Sequence, residues 1–223
     1  MLKFPEIIET LKKLNFSHLP GLDAQLRMAP VHRQDEIRKM QSAGTPIKSG
    51  ILFLIYPLNN GEAGTVLIQR PFYDGVHGGQ ISFPGGGYEK KDQTLMHTAL
   101  REAQEEVSVP PDAVEVLGKL TDLYIPPSNH LVSPYVAVAS SRPNFKPDPK
   151  EVDSIIELPL SVFFDPERLQ SVPICLSDGR TLDCPCYLTR GLTIWGATAM
   201  MIAEFVELIS KHMQIKNLLK KQQ

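Results

Sequence analysis

GQISFPGGGYEKKDQTLMHTALREAQEEVSV, residues 79–109, decides how this chain is read. Its first half is rich in turn formers, with Pro84 followed by Gly85, Gly86 and Gly87. Its second half, from about Thr94 to Val107, has helical periodicity. Met96, Ala99, Leu100, Ala103 and Val107 recur at spacings of three and four, which puts them on one side of a helix. Glu102, Glu105 and Glu106 follow the same spacing on another side, well over 90° away at about 100° per residue. The pattern predicts a helix that packs one face on a core and holds three carboxylates together on another.

Like charges at such spacing destabilise an isolated helix by a few tenths of a kcal/mol. A hard divalent cation removes that repulsion. Mg²⁺ takes oxygen ligands, keeps several waters, and is commonly held by one or two carboxylates together with substrate phosphates. A glycine turn beside it lets backbone approach an anionic ligand closely. Carboxylates, cation and bare backbone together point to phosphate chemistry.

The same residues resemble the Nudix box, G-x5-E-x7-R-E-U-x-E-E-x-G-U with U apolar. Arg101, Glu102, Ala103, Glu105, Glu106 and Val109 stand at their expected places. The chain departs from the box at two points. The strict acidic position counted back from Arg101 is Gln93, with Asp92 beside it, so the loop is one residue longer. Ser108 replaces the closing glycine. Just upstream, VLIQRPFYDGVHGGQISFPGG (66–86) is similar to the signature of the coenzyme A pyrophosphatase subgroup. Leu67, Arg70, Gly79, Phe83, Pro84, Gly85 and Gly86 fit it, whereas Ile68, Pro71 and Gly75 do not.

The resemblance implies an α/β fold, the Nudix α/β/α sandwich with a mixed central sheet. It implies a hydrolase acting on phosphorus anhydrides with Mg²⁺ or Mn²⁺. Glu102, Glu105 and Glu106 would be the metal ligands. Glu105 would also serve in catalysis, with Arg101 orienting the carboxylates. Arg70, Gly85 and Gly86 would contact substrate, and Glu151, from a late loop, is a further candidate base. The expected substrate is a small nucleoside diphosphate derivative of coenzyme A type, cut to phosphopantetheine and 3′,5′-ADP. Two alternatives stand beside it: a pyrophosphatase of ADP-ribose or another nucleoside diphosphate derivative, and a Nudix-fold sensor that binds without cleaving.

Composition narrows the field. The chain has 223 residues, 42 % of them hydrophobic, which suits one domain spanning 1–223 around a sizeable core. A formal net charge of −2 offers no electrostatic case for nucleic acid as a partner. Three cysteines, an odd and low count, predict a reducing compartment and no disulfide framework. The N-terminus lacks an apolar leader core, and no apolar run approaches the ~20 residues of a membrane span. A cytoplasmic protein without membrane attachment is expected.

Around the central motif, residues 1–49 read as an N-terminal helical extension. Phe4, Ile7, Ile8, Leu11 and Leu14 make its first helix amphipathic, to pack on the main domain or on a second copy in a homodimer. Residues 17–49 read as an irregular connection with one short helix at 35–41, and Arg27, His32, Arg33 and Arg38 as cations on a solvated surface. Runs at 50–57, 65–70, 114–120 and 131–139 have strand character. The segment 123–130, LYIPPSNH, reads as a substrate loop, without a Ser128–His130 hydrolase dyad. Asp178-Gly179-Arg180 reads as a hairpin turn, and 193–221 as a C-terminal helix.

Overall fold

A computed structural model describes residues 2–39, 45–73, 77–176 and 179–220. The hairpin at Asp178, the subgroup position Gly75 and the end of the expected 35–41 helix lie outside those residues. The side chain of His32 is likewise outside.

The centre is β1 (Ile47–Pro57), eleven residues long. Its partners account for the mixed sheet. It runs parallel to β7 (His130–Val138) along one edge. Its other edge is shared. Ile55–Pro57 pair antiparallel with β2 (Ala63–Gln69), while Ser49–Ile51 pair antiparallel with β4 (Gly85–Gly87). Four more strands join among the described residues. They are β3 (Ile81–Ser82) on β2, β5 (Glu115–Lys119) and β6 (Leu123–Ile125) on β7, and β8 (Ser154–Pro159) on the far edge of β2. A separate antiparallel sheet holds β9 (Leu169–Cys175), β10 (Thr181–Thr189) and β11 (Leu192–Trp195). The sequence expectation had reached only the turn of that hairpin.

Continuous apolar runs in β1 and β2 suit strands covered on both faces. Alternate residues of β1 enter two different cores. Leu52, Leu54 and Tyr56 join Ala99, Ala103 and Val107 of the helix α4 (Leu95–Val107). Ile51, Phe53 and Ile55 join Ile7 and Leu11 of α1 (Phe4–Lys13) and Met201, Phe205 and Ile209 of α5 (Gly196–Lys220). The sheet therefore lies between α4 on one face and α1 with α5 on the other, as an α/β sandwich requires. The terminal helix begins three residues later than the 193–221 expectation. Trp195 closes β11, paired with Cys186, because the preceding stretch completes a sheet edge.

The connection 17–49 keeps its cations Arg27 and Arg38 exposed but buries apolar residues around them. It contains α2 (Leu22–Leu26) and α3 (Gln34–Lys39). Ala24, Leu26, Met28, Ala29 and Ile37 are buried. A buried carboxylate anchors it: Glu204 of α5, fully buried, accepts bonds from Gln25 Nε2 (2.7 Å), Thr121 Oγ1 (2.6 Å) and the Gly21 amide (3.2 Å). Buried carboxylates persist only when so satisfied.

Candidate active site

Glycines decide where α4 can sit. A Cβ on Gly50 of β1 would come within 2.2 Å of the Leu95 carbonyl oxygen, so the helix docks there against bare backbone. A Cβ on Gly86 of β4 would lie 2.5–2.7 Å from the carboxylate of Glu102. The missing side chain is the space that Glu102 fills. Glu106, 1 % exposed, accepts the Gly85 amide at 2.8 Å. The glycine strand thus holds two of the helix carboxylates by close approach and by a backbone donor.

The third member of the cluster comes from elsewhere. Carboxylate oxygens of Glu102, Glu106 and Glu151 lie within 4.8 Å of one another. Glu151 reaches them because Asp153 donates its amide to the Gln69 carbonyl, which docks the loop 140–153 at the end of β2. Burial pushes Glu102 upward, and pushes Glu106 up to about 8; the Gly85 amide and the Arg70 charge pull Glu106 back only in part. Three crowded oxygen donors, with Glu102 and Glu106 raised in proton affinity, suit a hard divalent cation, which would remove both burial cost and mutual repulsion.

Glu105 lies outside that cluster. Its side chain is 47 % exposed and bonds Arg101 Nη1 at 2.8 Å, with Lys91 at 3.5 Å. Arg101, 13 % exposed, grips Asp92 with both arms of its fork, Nε to Oδ1 at 2.9 Å and Nη2 to Oδ2 at 3.0 Å. It also donates to Glu102 (2.8 Å) and to the Gly87 carbonyl (3.0 Å). Asp92, buried, accepts the Thr98 hydroxyl and the Glu89 amide as well. The Arg101 bond is the main force holding Asp92 well below the usual carboxylate range. The residue beside the strict box position is therefore the anchor of Arg101. Its proximity in sequence could have suggested this, but only the longer loop's path makes it visible.

On the α5 face a cavity of about 1000 Å³ opens against the same glycine strand. Gly85, Gly86, Arg70 and Arg33 line it, and Ile37, Trp195 and Met201 contribute apolar wall. The acidic cluster borders it across the glycines instead of lining it. Arg70 Nε is buried with no hydrogen-bond partner among the described residues. Of the other expected cations, Arg38 pairs with Asp23 and Arg27 with Glu207 on the surface. Segment 123–130 contributes Leu123 to Ser128 and His130 to the wall, and His130 bonds Ser49, not Ser128.

Residues 49–180 match the family model described as the NUDIX domain. A protein of Pectobacterium atrosepticum, "Uncharacterized Nudix hydrolase NudL", is 38 % identical over 160 residues, covering 70 % of this chain and 81 % of that one. Its namesake in Yersinia pestis is 34 % identical over 151 residues, covering 67 % and 74 %. Among solved structures, a Nudix hydrolase from M. smegmatis, RenU, overlaps loosely: TM-score 0.49, 16 % identity, 74 % of this chain and 87 % of that one. No helix among the described residues is long and apolar enough to cross a membrane.

Proposed function

This chain belongs to the Nudix family of hydrolases, which act on pyrophosphate linkages with a divalent metal, and from that premise we propose that it cleaves coenzyme A or its thioesters to phosphopantetheine and 3′,5′-ADP. The observation that carries the reading is the cavity that Arg70 and the glycine strand share with apolar walls. An anionic diphosphate fits the glycine and arginine side, and a longer, less polar tail fits the wall of Ile37, Trp195 and Met201. The subgroup motif at 66–86 supports the same substrate class.

Glu102, Glu106 and Glu151 are proposed to hold Mg²⁺ or Mn²⁺. When bound, such an ion neutralises phosphoryl oxygens and lowers the pKa of water. The chain's own side chains do the rest. Arg101, fixed by Asp92, aims Glu102 and keeps Glu105 at the outer edge of the helix. Glu151, exposed where Glu106 is buried, is the carboxylate best placed to take a proton from the attacking water, with Glu105 as the outer candidate for that role. Arg70 offers its guanidinium to a phosphate oxygen from the cavity wall, and Gly85 and Gly86 let the diphosphate approach the backbone.

A product assay with Mg²⁺ or Mn²⁺ over coenzyme A, acetyl-coenzyme A, ADP-ribose and nucleotide sugars tests the proposal. Coenzyme A compounds are expected to give the highest kcat/KM. Preference for ADP-ribose or a sugar nucleotide would overturn the substrate, and tight binding without any product would overturn turnover itself.

A further inference from the structure

Ser49 and His130 meet on the cavity wall from the two parallel strands at the centre of the sheet. Ser49 Oγ lies 2.7 Å from His130 Nδ1. Ser49 is 3 % exposed, so the bond is shielded from bulk water. Both residues line the cavity beside Gly85–Gly87 and Arg70. The other imidazole nitrogen, Nε2, has no hydrogen-bond partner among the described residues. The pair stands outside the acidic cluster.

We propose that His130, positioned by Ser49, is a second phosphate-binding point of this site, donating its Nε2–H to the phosphate farther from the acidic cluster while Arg70 binds between the two. The inference rests on the diphosphate reading given above and deepens it. The Ser49 hydroxyl can rotate to donate to Nδ1, which leaves the proton on Nε2. An anion at Nε2 favours that tautomer over the alternative, which would present a lone pair to it. Burial, with the charges of His77 and Arg70 adding to it, pushes the imidazole below its ordinary value. His130 is then a neutral donor at neutral pH, and its Nδ1 is free to accept. Arg70 and His130 line the same cavity as Gly85, whose amide Glu106 accepts, so guanidinium and imidazole share one wall system next to the carboxylate cluster.

Calorimetric titration of inorganic pyrophosphate with Mg²⁺ into the full chain tests this without needing turnover. His130→Ala is expected to weaken binding about tenfold, the scale of a lost hydrogen bond to a charged group. His130→Gln, whose amide nitrogen reaches the place of Nε2, is expected within about threefold of wild type by the same scale. Ser49→Ala should weaken binding and erase the Nε2–H preference seen in the imidazole ¹⁵N spectrum; Ser49→Thr should restore both. Wild-type affinity in His130→Ala overturns the proposal, as does a wild-type protein that binds no pyrophosphate. Should His130→Ala fail to fold, unchanged affinity and ¹⁵N pattern in Ser49→Ala overturn it instead. Loss of pyrophosphate binding in these variants with no cleavage of coenzyme A would sink the substrate assignment and leave this inference standing.

Discussion

The two faces of the central sheet are built for different tasks. The α4 face crowds its charges. Arg101 touches Asp92, Glu102, Glu105 and Gly87, and three carboxylates converge within 4.8 Å. The α5 face spreads a few donors, Arg33, Arg70 and His130, over a wide, largely apolar cavity. Between them lies a strand three glycines long. Bond-breaking chemistry needs fixed charge at short range, whereas recognising a long substrate needs area. Placing them on opposite sides of a glycine strand lets each be built without disturbing the other.

The division is sharpest at Glu106. Glu106→Gln is expected to lower kcat on the order of a thousandfold or more while leaving the fold intact, read by product assay and circular dichroism. The same variant has a second signature. Glu106 in the folded, metal-free protein is raised from 4.5 to about 8, so folding binds a proton between those values and stability falls as pH rises through that window. Thermal melts in chelator should show wild type losing stability from pH 5 to 8 and Glu106→Gln losing less. Added Mg²⁺ should flatten the wild-type slope. Near-full activity in the variant would break the assignment of the α4 face as the metal-binding side.

Gly86→Ala tests the strand between the faces. The new methyl group must displace the Glu102 carboxylate, so activity should fall about a hundredfold while the melting temperature moves little. Asp92→Asn removes the bidentate anchor of Arg101. A rate loss of roughly 10–100-fold is expected, along with a stability loss of about 3 kcal/mol in urea, because Arg101 would be left half-paired. On the other face, Trp195→Leu should raise KM about fivefold and leave kcat within about twofold, the mark of lost uniform binding. If it lowered kcat as strongly as Asp92→Asn does, the two faces would not be separable. The smallest effect is at the end of α4. Ser108 holds φ +58°, a left-handed conformation that costs a side-chain residue about 1 kcal/mol more than glycine. Ser108→Gly should stabilise the protein by roughly 0.5 kcal/mol in urea titration, the gain being partly offset by the lost bond from Ser108 Oγ to the Lys146 carbonyl.

Much of the α4 face was legible because its signals are local. Periodicity of 3.6 separates Ala99, Ala103 and Val107 from the glutamates, and the structure buries those three apolar residues. The continuous runs of β1 and β2 are equally local, and their strand character held. The second sheet was not legible beyond its turn: β9 and β10 alternate too weakly, with exposed residues along most of β9, for pattern to distinguish them from loop. In the 17–49 connection the short helix α3 was legible, but α2 and the anchors Leu26, Met28 and Ile37 were not, because polar residues outnumber buried ones there.

What the chain's own order determined is the helix, its charged edge and the glycine turn before it, since all three arise from neighbours within about four residues of each other. Which carboxylates actually meet depended on folding. Glu105 and Glu106 are adjacent in sequence, yet one faces solvent beside Arg101 and the other is buried against Gly85. Glu151 joins from 45 residues beyond Glu106 on a loop that the Asp153 amide ties to the Gln69 carbonyl, and His130 meets Ser49 across two parallel strands. Spacing along a chain sets direction around a helix, but distance between separate segments is set by the packing of the sheet that carries them.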